Sequence, residues 1–324
     1  MLEYNSRNAH FLARLGAQGT YGQSIHDMIM DGEELYCVSA DLGIASGLDR
    51  VIRNCPKRFV NVGIAEQNMV SIAAGIAEKG VPVFASSWAP FATYRCADQI
   101  RVFLGMMQKN VKIVGLASGM HIPKFGGSHY GIGDIALMRA IPNITILAPC
   151  DGIEIYSALS EAQKSDQPMY IRLTGGDFVP MINDATKYQY KIGKANLIRE
   201  GDDVLIISCG SILNQVLLAV DRLENIGISC SVLNMHTIKP LDVEALKEMD
   251  KYKLIVTVEE HNVIGGLGSA VAEFSASLSI QSPLMRIGIE DFVPVAGDYN
   301  FVLQQCGLDY ESIYHRIENT LKAR

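Results

Sequence analysis

The chain has 324 residues, of which 48% are hydrophobic and 19% are charged, and its formal net charge is -7. This length suits two domains, and the composition is that of a globular protein rather than of a disordered or fibrous one. The negative charge, without basic clusters, disfavours nucleic acid and anionic membranes as partners.

The apolar runs are too short to cross a bilayer, and the N-terminal residues lack the charged and apolar segments of an export signal. We therefore expect a cytoplasmic protein. The seven cysteines are scattered singly, without a Cys-x-x-Cys pair or a spacing typical of zinc ligands. We expect them to be reduced core residues, and we predict no metal site on this chain.

Short runs of β-branched residues alternate with longer amphipathic stretches. This alternation is typical of buried parallel strands separated by helices. In the first half it predicts strands at Leu35–Ala40, Phe59–Val62, Val81–Ala85, Val111–Leu116, Thr145–Ala148 and Met169–Leu173, with helices near Tyr21–Met30, Gln67–Lys79, Thr93–Gln108 and Gly152–Lys164.

A break separates this half from the next. Residues 175–180 contain turn formers, and the polar stretch from Asn183 to Gln189 has no apolar period, which indicates a linker. The alternation then restarts, with strands predicted at Asp203–Ser208, Ser229–Leu233, Lys253–Val258 and Leu284–Ile289 and with helices after Ser211, Asp242 and Gly268. We therefore predict an α/β protein of two doubly wound domains with mainly parallel sheets, residues 1–187 and residues 188–324.

The segment from Val60 to Met69 predicts a strand that turns directly into a helix, with Glu66 at the turn. Open α/β sheets bind ligands at this carboxyl edge. An isolated glutamate at a helix start is more simply explained by the helix dipole. The helix that follows is apolar nearly all round, however, so it brings the Glu66 carboxyl into dry surroundings, where a functional role is favoured.

The stretch Gly63-Ile64-Ala65-Glu66-Gln67 and the Ala-Ala-Gly helix after it resemble the pyrimidine-binding domain of the transketolase family. The resemblance extends over nearly the whole chain. It implies that thiamine diphosphate is the cofactor and that Glu66 hydrogen-bonds its aminopyrimidine ring, so that a ring nitrogen removes the proton from the thiazolium carbon. A carboxyl in apolar surroundings suits this role because it can share a proton with a ring nitrogen.

Three aromatic residues, Trp88, Phe91 and Tyr94, recur at every third position of the next segment. At helical spacing such residues are more often core than cofactor contacts. In the transketolase pattern, however, the segment resembles the aromatic wall on which the aminopyrimidine stacks. The resemblance implies Phe91 as the main contact, with Trp88 and Tyr94 beside it. Asp41 likewise resembles a strand-end aspartate near the cofactor, although any such aspartate can cap a turn.

A glycine-rich loop, residues 118–130, follows the predicted strand Val111–Leu116 and holds two histidines. A lone histidine in a loop is most simply a solvated side chain, and the sequence gives His121 no other role. His129 resembles the histidine of the family's Asp-Gly-x-Ser/Thr-His motif, which lies over the thiazolium ring. The resemblance implies that His129 contacts the substrate and stabilises or protonates the reacting carbon, a task that suits a group titrating near neutrality.

In the second half, residues 258–269 resemble the motif of the family's C-terminal domain. A glycine-rich turn of this kind can hold phosphate, but the pattern is weak and lacks a lysine. The resemblance implies a structural part in packing domains and subunits, so we predict no catalytic role for this motif.

The family's diphosphate-binding motif is missing. A Gly-Asp-Gly segment and a later asparagine hold the divalent metal in this family, whereas here Asp177 is followed by Phe178 and Asp202 by Asp203. The resemblance therefore implies a separate subunit with the N-terminal, diphosphate-binding half, which holds Mg²⁺ or Ca²⁺. It implies most simply a heterotetramer with two copies of each chain. We predict that this chain is catalytic only with that partner.

The sequence departs from ordinary transketolases where these bind a sugar phosphate. Phe125 stands where they have an aspartate that contacts a substrate hydroxyl, and Gly175 stands at the second basic position of a strand that usually ends Arg-Leu-x-Arg. The segment Ala17–Tyr21 also lacks a phosphate-binding arginine. Phe125, Arg95 and Lys124 remain as candidate substrate contacts, although the two basic residues are as readily solvated or ion-paired. We therefore predict transfer of a two-carbon ketol or acyl unit to an acceptor other than a simple aldose phosphate.

Two other functions stay open at this point. The beta subunit of a 2-oxoacid dehydrogenase decarboxylase component shares this domain pair, but Asn68 after Gln67 and Tyr130 after His129 fit transketolase better. A non-catalytic homologue that kept the fold is the other alternative. It is disfavoured because decay would remove Glu66 and His129 first.

Overall fold

The computed structural model describes residues 5–278 and 280–323. Within these ranges the chain forms two α/β domains, each built on a mostly parallel sheet with helices on its faces. This confirms the predicted fold class. No helix in the described ranges is both long enough and apolar enough to cross a membrane.

The first part of the chain alternates strands and helices. Their bounds are α1 Ser6–Met30, β1 Tyr36–Ser39, α2 Asp49–Asn54, β2 Phe59–Asn61, α3 Glu66–Ala77, β3 Val83–Trp88, α4 Ala89–Thr93, α5 Ala97–Gln99, β4 Val111–Leu116, α6 Asp134–Ala140, β5 Thr145–Leu147, α7 Gly152–Lys164 and β6 Met169–Arg172.

The second part repeats this pattern. Its elements are β7 Asn196–Arg199, β8 Val204–Ser208, α8 Leu213–Asn225, β9 Cys230–Asn234, β10 Thr237–Lys239, α9 Val243–Leu246, β11 Leu254–Asn262, α10 Leu267–Ser277, β12 Leu284–Ile289, α11 Tyr299–Gln305 and α12 Tyr310–Lys322.

The first sheet has the strand order β10-β5-β6-β4-β3-β1-β2. All of its neighbours pair in parallel except β10, which is antiparallel to β5. Since β10 follows β9 in the chain, one strand of the second part returns to the sheet of the first. The predicted domain boundary after residue 187 stays a prediction. Strand β10 lies after this boundary in the chain but pairs with the sheet formed by the residues before it.

The second sheet has the order β12-β11-β8-β9-β7, and only β7 is antiparallel to its neighbour. Strands β4, β8 and β9 are buried along their whole length. Strands covered on both faces favour uninterrupted β-branched and aliphatic runs, which is why the sequence predicts them well. One buried cluster joins Val38 and Val83 of the first sheet to Leu205 and Ile255 of the second, so the two domains share a core.

Two helix predictions are wrong in their bounds. The helix expected from Tyr21 begins at Ser6, and its two helical pieces meet at a kink at Gly16. The φ of Gly16 is 69°, a value that glycine adopts readily, and a side chain there would collide with the carbonyl of Gly176. The helix expected at Thr93–Gln108 is instead a series of short pieces. The backbone of Cys96 is not helical (φ -121°, ψ 25°), and a 3-10 turn and a π-helical stretch flank α5.

Candidate active site

Glu66 is the first residue of α3 and lies beside the carboxyl ends of β2 and β3. Its side chain is 3% exposed. The hydroxyl of Ser87 donates a hydrogen bond to one carboxylate oxygen, Oε1, over 3.2 Å, and the guanidinium of Arg95 donates to the other, Oε2, over 2.8 Å. The first sheet therefore has a buried carboxylate at the edge where the sequence predicts it.

Arg95 contacts this carboxylate from its solvent-facing side. Its side chain is 45% exposed, and its guanidinium carbon lies 3.9 Å from the centre of the Phe91 ring, which is a cation-π contact. The sequence suggests Arg95 as a substrate contact, whereas the structure places it on Glu66 and Phe91. The contacts of Ser87 and Arg95 with Glu66 had no signal in the sequence, because they join residues 21 and 29 positions apart and Arg95 lies on the irregular segment after β3.

Four rings converge next to Glu66. His129 lies 5.2 Å from Trp88, 5.3 Å from Phe91 and 4.9 Å from Phe125, measured between ring centres. Trp88 and Phe91 are 6.0 Å apart. The structure thus brings the predicted aromatic wall and the predicted catalytic histidine together from two distant segments.

Tyr94 points elsewhere. It is 54% exposed, and its hydroxyl lies against Gly133 at the start of α6. The resemblance implied a place for Tyr94 beside Phe91, but Tyr94 begins a 3-10 turn after α4 and its hydroxyl lies on the side of α6. Its predicted contact with the cofactor stays a prediction.

Asp41 lies at the exposed carboxyl edge, just beyond β1. Its backbone is left-handed (φ 61°), a conformation that aspartate tolerates better than most residues. The Asn61 amide donates to the Asp41 carboxylate over 3.0 Å and accepts from the Asp41 backbone N–H over 3.0 Å. This pair ties the ends of β1 and β2 together beside the site.

The histidine-bearing segment is a closed loop. Gly119 and Gly131 exchange two backbone hydrogen bonds, of 3.0 and 2.9 Å, at its base. Inside it, the hydroxyl of Ser128 lies 2.9 Å from Nδ1 of His129. Phe125 is 62% exposed, so it presents an apolar surface where the resemblance predicts a carboxylate in other enzymes.

His121, in the same loop, is not a solvated side chain. It is 8% exposed and is stacked on Tyr299, with 4.3 Å between the ring centres. Its Nε2 lies 3.1 Å from the hydroxyl of Ser211 and 3.3 Å from Oε2 of Glu260. No local pattern indicates this, because the partners of His121 come from the second domain and are far away in the chain.

A second buried group of charges lies where the two domains meet. Arg172 donates to Asp134 over 2.9 Å, and both side chains are almost fully buried. Tyr170 donates to the same carboxylate oxygen over 2.6 Å. Arg172 also donates to the carbonyls of Gly131 and Glu260, over 3.1 and 2.8 Å, so this ion pair joins the first domain to β11 of the second.

Comparison with known families fits this geometry. The family model for the transketolase pyrimidine binding domain matches residues 17–178, and the model for the transketolase C-terminal domain matches residues 193–313. The chain belongs to the transketolase family.

Its relatives in this family include proteins of similar length. A protein of Methanocaldococcus jannaschii, named for the C-terminal section of a transketolase, is 37% identical over 95% of this chain and 96% of its own length. A 6-deoxy-6-sulfo-D-fructose transketolase subunit of Clostridium sp. (strain MSTE9) is 36% identical over 91% of both chains. A solved structure described as a split-gene transketolase, an inactive β4 tetramer, superimposes with a TM-score of 0.85 at 31% identity, covering 95% of this chain and 99% of the other.

The two places where this transketolase-family chain lacks phosphate-binding arginines lie against each other. Gly175 has a φ of 104°, and a side chain built on it would come within 2.5 Å of Val179 and 3.6 Å of Ala17. The N–H of Ala17 donates to the carbonyl of Gly176 over 3.2 Å. Packing therefore leaves little room for a side chain at Gly175, and an arginine there would require Val179 to move.

Proposed function

We propose that this chain is the pyrimidine-binding and C-terminal subunit of a split, thiamine diphosphate-dependent transketolase-like enzyme. The enzyme transfers a two-carbon ketol or acyl unit to an aldehyde or sugar-type acceptor. The observation that carries this proposal is the buried carboxylate of Glu66 at the open edge of the first sheet, with the rings of Phe91, Trp88 and His129 beside it.

The side chains present suit the aminopyrimidine half of the cofactor. Each oxygen of the Glu66 carboxylate has two lone pairs, so each retains one after the hydrogen bonds from Ser87 and Arg95. Phe91 offers an aromatic face for stacking, with Trp88 next to it. When bound, thiamine diphosphate supplies the carbon nucleophile of the reaction. Glu66 would hold the pyrimidine ring and share its proton.

His129 would act on the substrate side of the same site. Its ring packs between Phe91 and Phe125, and Ser128 contacts its Nδ1, so the orientation of the imidazole is set by three neighbours. An imidazole nitrogen can donate or accept a proton, so Nε2 of His129 would be available for proton transfer to or from the substrate.

A partner chain would supply the other half of the site. The sequence lacks the Gly-Asp-Gly segment, and relatives of the same length are named as a subunit or a C-terminal section. We propose that a diphosphate-binding subunit holds the diphosphate and Mg²⁺ or Ca²⁺ and that two copies of each chain form a heterotetramer. The free cysteines among the described residues favour a reducing compartment such as the cytoplasm.

The substrate proposal depends on Phe125 and Gly175. An exposed phenylalanine cannot accept a hydrogen bond from a sugar hydroxyl, and the closed position at Gly175 cannot hold a bidentate phosphate clamp. One relative is named for a sulfonated sugar. We propose an acceptor that is modified, nucleotide-linked or carboxylated rather than a simple aldose phosphate.

Reconstitution tests the proposal. The chain is purified together with its diphosphate-binding partner, and turnover is measured with and without thiamine diphosphate. The donors are hydroxypyruvate, pyruvate and pentose phosphates, each with varied aldehydes. We expect cofactor-dependent transfer from hydroxypyruvate or pyruvate. Efficient turnover of pentose phosphates would contradict the substrate proposal, and no cofactor-dependent turnover with any pair would favour a non-catalytic homologue.

A further inference from the structure

The loop that carries His129, residues 119–131, is held from outside by the second domain; we name it the His129 loop. At its start, the N–H of Met120 donates to Oε1 of Glu260 over 2.5 Å. Just after its end, the N–H of Asn262 donates to the carbonyl of Ile132 over 2.8 Å. Both contacts come from the last residues of β11, so one strand of the second domain fixes the two ends of the loop.

Glu260 is the centre of this attachment. It is 1% exposed, and its second oxygen, Oε2, accepts a hydrogen bond from Tyr299 over 2.7 Å and lies 3.3 Å from His121. Burial alone would oppose its ionisation, but His121 and the hydrogen bonds from Met120 and Tyr299 hold the pKa of Glu260 below its usual value. Both carboxylate oxygens of Glu260 are therefore occupied by contacts with this loop and with Tyr299.

The middle of the loop is also in contact with the second domain. The N–H of Gly297 donates to the carbonyl of Pro123 over 3.3 Å, and Gly127 packs so closely on Val293 that a side chain there would collide with it. These contacts lie nearer the protein surface than those of Glu260, because Val293 is largely exposed. Glu260 is the buried carboxylate of the second domain that hydrogen-bonds to the loop, while the side chains of Met120 and Tyr130 are buried in that domain's core and Arg172 of the first domain donates to Gly131.

We propose that Glu260 is a positioning residue for His129, and that the second domain acts in the reaction by holding the His129 loop. The proposal rests on the function proposed above for His129. The chain of contacts runs from Glu260 to Met120, through the loop closed at Gly119 and Gly131, to the imidazole that packs on Trp88.

The neighbouring residue provides a matched control. Glu259 is equally buried, but its carboxylate accepts the N–H groups of Leu267 and Gly268, over 2.6 and 2.8 Å, at the start of α10. Its hydrogen bonds thus lie within the second domain. Substitution of either glutamate should destabilise the protein, but only substitution of Glu260 should release the His129 loop.

The first test uses the isolated chain and needs no catalysis. Amide hydrogen exchange is compared in the wild type, Glu260→Ala and Glu259→Ala, and we expect exchange in residues 120–131 to rise about 10-fold only in Glu260→Ala. Trp88 is the single tryptophan of the chain, so its fluorescence reports on the same place. The change that His129→Asn causes in this fluorescence should appear in part in Glu260→Ala and should be absent from Glu259→Ala.

Two more conservative variants test the same contacts with a smaller risk of misfolding. Glu260→Gln keeps an acceptor for Met120 and should restore most of the protection of the loop, whereas Tyr299→Phe removes one hydrogen bond to Glu260 and should loosen it only partly. Equal exchange in the Glu260 and Glu259 variants, or protection of the loop unchanged in Glu260→Ala, would overturn the proposal.

The second test uses the complex with the diphosphate-binding subunit. Glu260→Ala should lower kcat about 10-fold while the affinity for thiamine diphosphate stays near that of the wild type, because Glu66 and Phe91 are untouched. Glu259→Ala should change neither. If the complex shows no cofactor-dependent turnover at all, the proposed function fails; the exchange data then still decide whether Glu260 holds the loop. Faster amide exchange in the loop of Glu260→Ala together with an unchanged kcat would contradict the positioning role of Glu260 and would leave the proposed function intact.

Discussion

The two sheets of this protein have related architectures, but they use their carboxyl edges differently. On the first sheet, Asp41 and Asn61 are exposed beyond β1 and β2, and Glu66 lies beside them. On the second sheet, the N–H of Gly210 after β8 donates to the carbonyl of Ala148, and Asn234 at the end of β9 donates to Glu154, both in the first domain. Open α/β sheets bind ligands outside the carboxyl ends of their strands, and on the second sheet contacts with the first domain occupy part of that place.

The buried charges beside Glu66 also differ from those where the two domains meet, at the carboxyl end of β6. The partner of Glu66 is Arg95, which is half-exposed, whereas both members of the Arg172–Asp134 pair are buried between the domains. A half-exposed cation leaves room for a ligand to approach the carboxylate. A pair that is buried on all sides cannot change its partners without a large cost. We therefore expect substitutions at the first place to change activity and those at the second to change stability.

The largest effect should follow Glu66→Gln in the reconstituted complex. The amide cannot share a proton with the pyrimidine ring, so turnover should fall about 10²–10⁴-fold while cofactor still binds. Turnover and cofactor affinity are measured side by side. Glu78→Gln, an exposed position just after α3, is the control and should leave turnover unchanged. Near-normal activity of Glu66→Gln would remove Glu66 from the reaction.

Where the two domains meet, at the carboxyl end of β6, Arg172→Met should instead destabilise the fold. It leaves the buried carboxylate of Asp134 without its cation, which typically costs about 3–5 kcal/mol. Urea unfolding of the isolated chain measures this. The exposed Arg53–Asp49 pair is the control, because Arg53→Met should cost less than about 1 kcal/mol. Equal losses in the two variants would contradict the structural role assigned to the buried Arg172–Asp134 pair.

The sequence predicted most of the strands and the place of Glu66, because buried parallel strands and a strand-to-helix turn depend on local patterns. It did not predict β7, β10 or the first part of α1. Strand β10 has only three residues and pairs antiparallel at the edge of a distant sheet, so no local period marks it.

The sequence predicted which side chains form the candidate site but not the contacts that support them. Trp88, Phe91, Phe125 and His129 lie close together, while their roles toward cofactor and substrate stay predictions. The spacing of the aromatic residues could not show that Tyr94 lies outside this group, because the segment after β3 is irregular. Contacts such as that between Met120 and Glu260 join residues 140 positions apart, for which a single sequence carries no signal.

A smaller effect would show which aromatic side chain contacts the cofactor at the carboxyl edge of the first sheet. Phe91→Ala should weaken thiamine diphosphate binding by the complex about 10-fold, because it removes a stacking surface worth about 1.5 kcal/mol. Tyr94→Ala should weaken binding less, since Tyr94 lies against Gly133. Calorimetric titration of both variants gives the comparison. A larger loss for Tyr94→Ala would place the cofactor on the other side of this segment.

The smallest effect concerns pH at the covered edge. Burial raises the pKa of Glu259 to about 7, although the N–H groups of Gly268 and Leu267 work against this. The folded state then binds more protons than the unfolded state between the ordinary pKa of glutamate and pH 7, so the free energy of unfolding falls as pH rises through that range. The slope contributed is at most about 1.4 kcal/mol per pH unit. Urea unfolding of Glu259→Gln should lack this part of the slope, and identical pH profiles would contradict the assignment.

The central claim is that this chain holds only the pyrimidine half of a cofactor site. Calorimetric titration with thiamine diphosphate and Mg²⁺ tests it most directly, first with the chain alone and then with the chain in complex with its diphosphate-binding partner. We predict weak or undetectable binding by the isolated chain and clear saturation of the complex. Micromolar binding by the isolated chain would contradict the claim.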